Sequence, residues 1–399
     1  MKALTNPDTN FNRLFSTVQP IILLKRCCGI FRLRVDRELS VPLPFNRRVR
    51  VLGFFIYLFI AVSYLTLTFG FVTDINVPRT VQILPSIMIF FQYSVTITRQ
   101  LFYDDIANIH ILTAVENIDY SLHVNTNNDF YKKSRAETMK LLFLLATSYV
   151  SMMIFNIFDE VEIKIEFFVS LLLYFECELE ILFFYKLMGL LRERVVIINN
   201  YLSKFATQRL DNKTILLKES NKAFVIEQCL SYIGRASANN MKIRDLAETY
   251  YQIGAVCEMI NRIFNLAILT TFISTFLFII ITFWSSLLYF QTNKTFRYLL
   301  KIVVWSSTQI IAVVMLSINC EKLLKVKQTT KLLVNRLIMD YDLPKAMRVQ
   351  AKVFMDIINI WPLRVFIYDM FSTDLQMTFK VISLCETYVI LVIQVTHLL

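Results

Sequence analysis

The residues best placed to do chemistry in this chain stand where chemistry is costly. In YFECELEILFFYK (174–186), Glu176 and Glu180 are four apart and share a helix face, while Glu178 points roughly the other way. Counted from a helix start near residue 165, Glu176 lies about 16 Å along the axis at 1.5 Å per residue, close to mid-depth in a hydrocarbon core of about 30 Å. A carboxylate there either contacts a ligand or ion or is matched by a neighbouring helix. Both readings stay open for all three. The last stretch, CETYVILVIQVTHLL (385–399), is apolar apart from Glu386, Thr387, Tyr388, Gln394 and two residues near its end. At 100° per residue Thr387, Leu391, Gln394 and Val395 fall on one stripe. A glutamine in lipid without a partner carries a desolvation cost, so that stripe faces protein or water. One helix cannot enclose water, but several copies around an axis can.

A second constellation gathers in the outer half of the expected bundle: Gln82, Ser86, Tyr149, Asn156, Tyr174, Trp284, Tyr289, Trp305 and Gln309, with Glu176 at its floor. Aromatic rings with one polar handle suit a small-molecule pocket. The competing reading for each is the interfacial aromatic belt, which places Trp and Tyr at the same depth. Catalytic and metal patterns do not occur. The six glycines form no phosphate loop or nucleophile elbow, and His110, His123 and His397 have no partners at ligand spacing. No catalytic residue, metal site or cofactor is therefore expected, and the chain reads as a non-enzyme. The seven cysteines are odd in number and lack CxxC spacing, so reduced thiols are expected. Cys27 and Cys28, in the basic stretch KRCCGIFRLR, are either palmitoylation candidates or plain thiols. A Thr-Val-Gly-Tyr-Gly-like potassium filter is absent.

These residues are carried by a membrane protein. Of 399 residues 56% are hydrophobic and the mean hydropathy is +0.52, above the roughly 45–50% apolar usage of soluble domains. The formal charge of +11 is scattered between apolar spans, so it speaks to topology and not to nucleic acid. Seven stretches are long enough to span: 51–72, 80–98, 141–158, 165–191, 264–290, 299–320 and 376–396. Lys and Arg number thirty-five in the N-terminal tail and the even-numbered connections, against four in the odd-numbered ones. That asymmetry places the N-terminus in the cytoplasm and the C-terminus outside. It also argues against a G-protein-coupled receptor, as does the lack of an Asp-Arg-Tyr-like triplet after span three and of Asn-Pro-x-x-Tyr in span seven. No cleavable signal pattern occupies the first fifty residues, so the first span is expected to direct insertion. The triplet Asn293-Lys294-Thr295 is a glycosylation candidate on a short outer loop.

The expected class is all-α: a polytopic membrane protein with seven transmembrane helices, an inner N-terminus, an outer C-terminus and a cytoplasmic helical anchor. Its parts are a tail (1–50), spans one to four (51–191), helical extensions (192–263), spans five and six (264–320), a further anchor segment (321–375) and the last span (376–399). Residues 192–263 contain no proline and keep apolar residues at helical intervals; 321–375 breaks at DYDLPK and again at Pro362.

The sequence TYVILVIQV resembles the C-terminal signature of the insect gustatory receptor family, Thr-Tyr, five apolar residues, then Gln-Phe. Thr387, Tyr388 and Gln394 match, and Val395 stands in place of the usual Phe. FSTDLQMTFKVISLCETY (371–388) is similar to the family's polar turn before its last helix. The resemblance implies a ligand-gated, non-selective cation channel, a homo- or heterotetramer with related subunits, with the last helix lining a central pore. It implies a gate at Leu391, Gln394 and Val395, a small-molecule tastant bound among spans two to six, and a place in the plasma membrane of a sensory dendrite in contact with membrane lipids. The aromatic character of the outer cluster leans towards a bitter or other non-sugar compound. Alternatives are a metabotropic seven-span receptor, a pore-less membrane scaffold and an odorant receptor relative.

Overall fold

The computed structural model describes residues 8–31, 34–35, 42–43, 47–69, 77–102, 106–124, 128–159, 165–215, 242–292, 296–341 and 343–398. Among them are ten α-helices: α1 (Asp8–Cys27), α2 (Arg47–Phe69), α3 (Val77–Phe102), α4 (Ile106–Ser121), α5 (Asn128–Asp159), α6 (Ile165–Ile215), α7 (Lys242–Thr292), α8 (Phe296–Met339), α9 (Lys345–Ile360) and α10 (Leu375–Leu398). Two short antiparallel pairings complete the inventory, β1 (Arg34–Val35) with β2 (Pro42–Leu43) and β3 (Phe366–Ile367) with β4 (Phe371–Ser372). Each stretch expected to span coincides, within its described residues, with one uninterrupted helix. The windows Asn128–Ile154, Ile243–Trp284 and Val303–Met339 are by length and composition apolar enough to cross a membrane, and Val51–Thr66 forms a shorter apolar helix.

The long helices run well beyond any bilayer. At 1.5 Å per residue the 51 residues of α6 extend about 75 Å, more than twice a hydrocarbon core. The helical extension expected over 192–263 is present at 192–215 and 242–263; residues 216–241 lie outside the described ones. The anchor segment likewise divides into the end of α8, α9, and the β3–β4 hairpin. Pro344 caps α9 and Pro362 follows it, since proline lacks the amide that a helix interior needs. α9 buries Ala351, Phe354 and Ile358, a stripe at i, i+3 and i+7, against α7 and α8. Where Trp361 folds back on α7, Gly254 is required: a Cβ there would lie 2.6 Å from the indole ring.

Residues 1–50, expected only as a basic tail, and residues 99–140, where no element is expected from the sequence, hold the additional helices α1 and α4. Both contribute to the core. α1 buries Phe11, Leu14, Phe15, Val18, Ile21 and Ile22 against α4, α5 and α6. Of the two cysteines at its end, Cys27 is exposed and Cys28 is buried, with its carbonyl accepting from Tyr93 on α3 at 2.9 Å. α4 carries Asp119, which receives Arg194 of α6 in a two-pronged contact, Nε to Oδ1 at 2.8 Å and Nη2 to Oδ2 at 2.7 Å. Tyr131 donates to the same carboxylate at 2.7 Å, Arg194 Nη1 donates to the Leu190 carbonyl at 3.0 Å, and the guanidinium lies over the Phe130 ring. Burial alone would lower the Arg194 pKa; the adjoining Asp119 charge and hydrogen bonds outweigh it and hold the group above its ordinary value. The Tyr131 phenol is pushed up by burial and then by Asp119, so it stays neutral and donates.

Both partners of this pair are essentially inaccessible, so removing one strands the other. Asp119→Ala is expected to destabilise the folded chain by about 3–5 kcal/mol, whereas Asp119→Leu combined with Arg194→Met recovers most of that loss. Thermal unfolding of the solubilised protein, followed by size-exclusion fluorescence, reads both; a double variant no better than the single one would contradict the account.

Candidate functional site

α6 sits at the centre of the bundle and touches α1, α2, α3, α4, α5, α7 and α8. Its acidic run therefore meets three different neighbours. Glu180 forms an ion pair with Lys25 at the end of α1, and that ammonium also lies 5.5 Å from the Phe183 ring centroid. Glu176 is fully buried beside Cys177, whose Sγ donates to it at 3.8 Å. Glu178 turns the opposite way, as the helical spacing requires, and accepts from Gln309 Nε2 of α8 at 3.0 Å, with the Tyr149 phenol of α5 nearby.

The outer aromatic set divides in the same way. Tyr174 packs edge-on against Trp305 at 4.8 Å and against Phe278 at 5.5 Å, and Tyr149 packs edge-on against Phe175 at 5.1 Å. These contacts join α5, α6, α7 and α8 into a cluster that also holds Tyr64, Phe90 and Tyr93 of α2 and α3. Tyr64 and Phe90, outside the set expected from sequence, stack at 4.7 Å; their signal was an aromatic on the inward face of each of two adjacent helices, α2 and α3. Thr282 and Ser306 share a hydrogen bond across α7 and α8. Trp284 is half-buried on α7, and its buried indole N–H has no acceptor among the described residues. Glu176 does not join the Tyr149–Gln309 side; it sits on the α3 side of α6, near Tyr93. The side chains of Gln82, Ser86, Asn156 and Tyr289 lie outside the described residues, as do Asn293, Cys229 and the side chain of Val395.

Beside this cluster, α5, α6 and α8 leave a cavity of about 190 Å³. Glu178, Ile181 and Tyr185 of α6 form one wall, Leu145 of α5 a second, and Ala312 and Met315 of α8 a third. Glu178 is the one charged residue in the lining.

The last helix is held differently. β3 and β4 are joined by a tight turn with positive φ at Tyr368 (46°) and Asp369 (59°), closed by the Met370 amide on the Ile367 carbonyl at 2.9 Å. Asp374 then caps α10 by accepting from the Met377 amide at 2.9 Å and from the Ser372 hydroxyl at 2.8 Å. Thr378 donates to Ser317 of α8 at 2.6 Å, and Tyr388 meets Phe276 of α7 edge-on at 5.6 Å. Cys385 and Val389 are buried on the same side as Thr378, while Thr387, Leu391 and Gln394 are exposed. Among the described residues, Thr387, Leu391 and Gln394 of the stripe derived from sequence therefore meet no other helix of the chain.

The Ser317–Thr378 bond joins the pocket-bearing helix to α10, and its worth is measurable. Thr378→Val and Ser317→Ala are each expected to cost about 1 kcal/mol, with the double variant less than additive. Additive losses in thermal unfolding would show that the two hydroxyls do not act as a pair.

A family model described as 7tm chemosensory receptor matches residues 18–396. No curated protein matches the chain in sequence. Among solved structures, the insect olfactory receptor OR5 from Machilis hrabei superposes with a TM-score of 0.52 at 10% identity, over 97% of this chain and 100% of that one. At such identity the likeness is one of fold, here an all-helical bundle. Because the family match runs over nearly every element described above, from within α1 to the end of α10, this chain belongs to the 7tm chemosensory receptor family, whose members are embedded in membranes.

Proposed function

We propose that the chain is one subunit of a tetrameric, ligand-gated, non-selective cation channel of the gustatory type. It crosses the membrane seven times, through α2, α3, α5, α6, α7, α8 and α10, with its N-terminus inside and its C-terminus outside. The observation that carries this reading is α10. Its buried side is tied to α8 through Thr378 and carries Cys385 and Val389, the half-exposed Tyr388 meets Phe276 of α7, and Thr387, Leu391 and Gln394 line the other side exposed, with no contact to another helix among the described residues. In a bilayer an exposed glutamine needs water or a partner. Four copies around an axis would supply both, with Gln394 towards the ion path and Leu391 and Val395 at an apolar constriction that gates by dewetting.

The ligand reading follows from the Tyr149–Tyr174–Trp305 cluster and the available Trp284 donor. A small, largely apolar tastant inserted there would alter the packing of α8 on α6. Through Ser317 and Thr378 the same helix reaches α10, and a ligand that prefers the open arrangement shifts the population towards it. Few paired polar groups face this region, which favours a bitter or other non-sugar compound. The likeness to an olfactory receptor leaves the odorant branch as the second reading, and the Thr387-Tyr388 signature favours the gustatory one.

Gln394→Ala is expected to change conductance or reversal potential in whole-cell recordings during a tastant panel, with surface expression unchanged. Unaltered currents would remove Gln394 from the pore. A tag at the C-terminus is expected to stain in unpermeabilised cells; staining only after permeabilisation would overturn the topology.

A further inference from the structure

The cavity among α5, α6 and α8 lies beside the aromatic cluster. Glu178 is thirteen residues from the start of α6, about 20 Å along its axis, and the facing part of α5 is the inner beginning of its span. The opening is lateral: Leu144 of α5 and Ile311 of α8, both in the wall, are 61% and 53% exposed and face away from the bundle. In a bilayer this mouth faces acyl chains, so a ligand reaches it from the lipid and not from water.

Its chemistry is one-sided. The Ser148 and Thr308 hydroxyls are spent on the carbonyls of their own helices, Leu145 and Trp305, at 2.7 Å each. Glu178 is about nine-tenths buried, and the donor that reaches it, Gln309, is neutral, as is the neighbouring Tyr149 phenol. Among the described residues no ion pair reaches it, whereas Glu180, two residues on, has Lys25. A buried carboxylate without a cation carries a large desolvation cost, and a ligand ammonium would meet it at close range in a medium that screens weakly.

We propose that this groove is a second ligand site, separate from the outer aromatic cluster, which takes a small apolar amine dissolved in the bilayer. The ammonium rests on Glu178 and the hydrocarbon lies between α5 and α8. The site depends on membrane placement alone, so it stands or falls apart from channel gating. The test uses the full-length receptor in phosphatidylcholine nanodiscs, with thermal unfolding measured in n-octylamine and, at equal membrane concentration, in n-octanol. Octylamine is expected to raise the midpoint by about 2 °C more than the alcohol. The difference is expected to vanish in Glu178→Gln, which keeps the hydrogen-bonding shape and removes the charge, and in Ala312→Phe, which fills the groove and leaves the carboxylate. Should the first variant fail to fold, the second still decides. Equal shifts for amine and alcohol in the wild type, or a difference that survives in either folded variant, would overturn the proposal.

Discussion

A charged side chain taken out of water must be met, and along α6 that requirement organises the molecule. Glu178, Glu180, Lys186 and Arg194 are all buried on this one helix. Each is answered from a different direction: Glu180 by Lys25 of α1, Glu178 by Gln309 of α8, Lys186 by the Ser134 carbonyl of α5 at 2.7 Å, and Arg194 by Asp119 of α4. Desolvation makes each of these groups intolerant of a missing partner. Apolar packing alone would let neighbouring helices slide or rotate. The matched polar groups fix their register, because one turn of displacement would leave two of them uncompensated.

α10 lies at the other extreme. Its contacts are with α7 and α8, through a single narrow face. It enters from a capped turn held by Asp374, and most of its described side chains away from that face are exposed. A helix tethered on one side and exposed elsewhere can tilt or rotate at lower cost than α6, which is wrapped by seven neighbours. The proposed division of labour follows from that difference: a rigid, polar-locked interior that senses, and a loosely held helix that gates.

The chemosensory-family motif and the helices were legible in sequence because each is local. Hydropathy fixes where a helix can cross, and 100° per residue fixes which residues share a stripe, so the grouping of Thr387, Leu391 and Gln394 and the opposition of Glu178 to Glu176 and Glu180 needed no tertiary information. The role of α1 was not legible. Phe11, Leu14, Val18 and Ile22 have helical spacing, but the positive charges among residues 1–50 mark that segment as topological, and nothing local says that such a helix docks into the bundle. The Asp119–Arg194 pair was hidden for a similar reason, since 75 positions separate its members and each residue in isolation reads as a solvated charge.

Sequence by itself determined the all-helical class, the membrane setting, the family resemblance and the exposed stripe of the last helix, because periodicity, hydropathy and a short motif are properties of neighbouring residues. Only the tertiary structure decided which partner each buried charge on α6 would receive. It alone made Glu180 the counterpart of Lys25, packed Tyr174 on Trp305, and left Glu178 facing an apolar groove. Those outcomes rest on the distance and orientation of groups far apart in the chain, which are set only once the helices have packed.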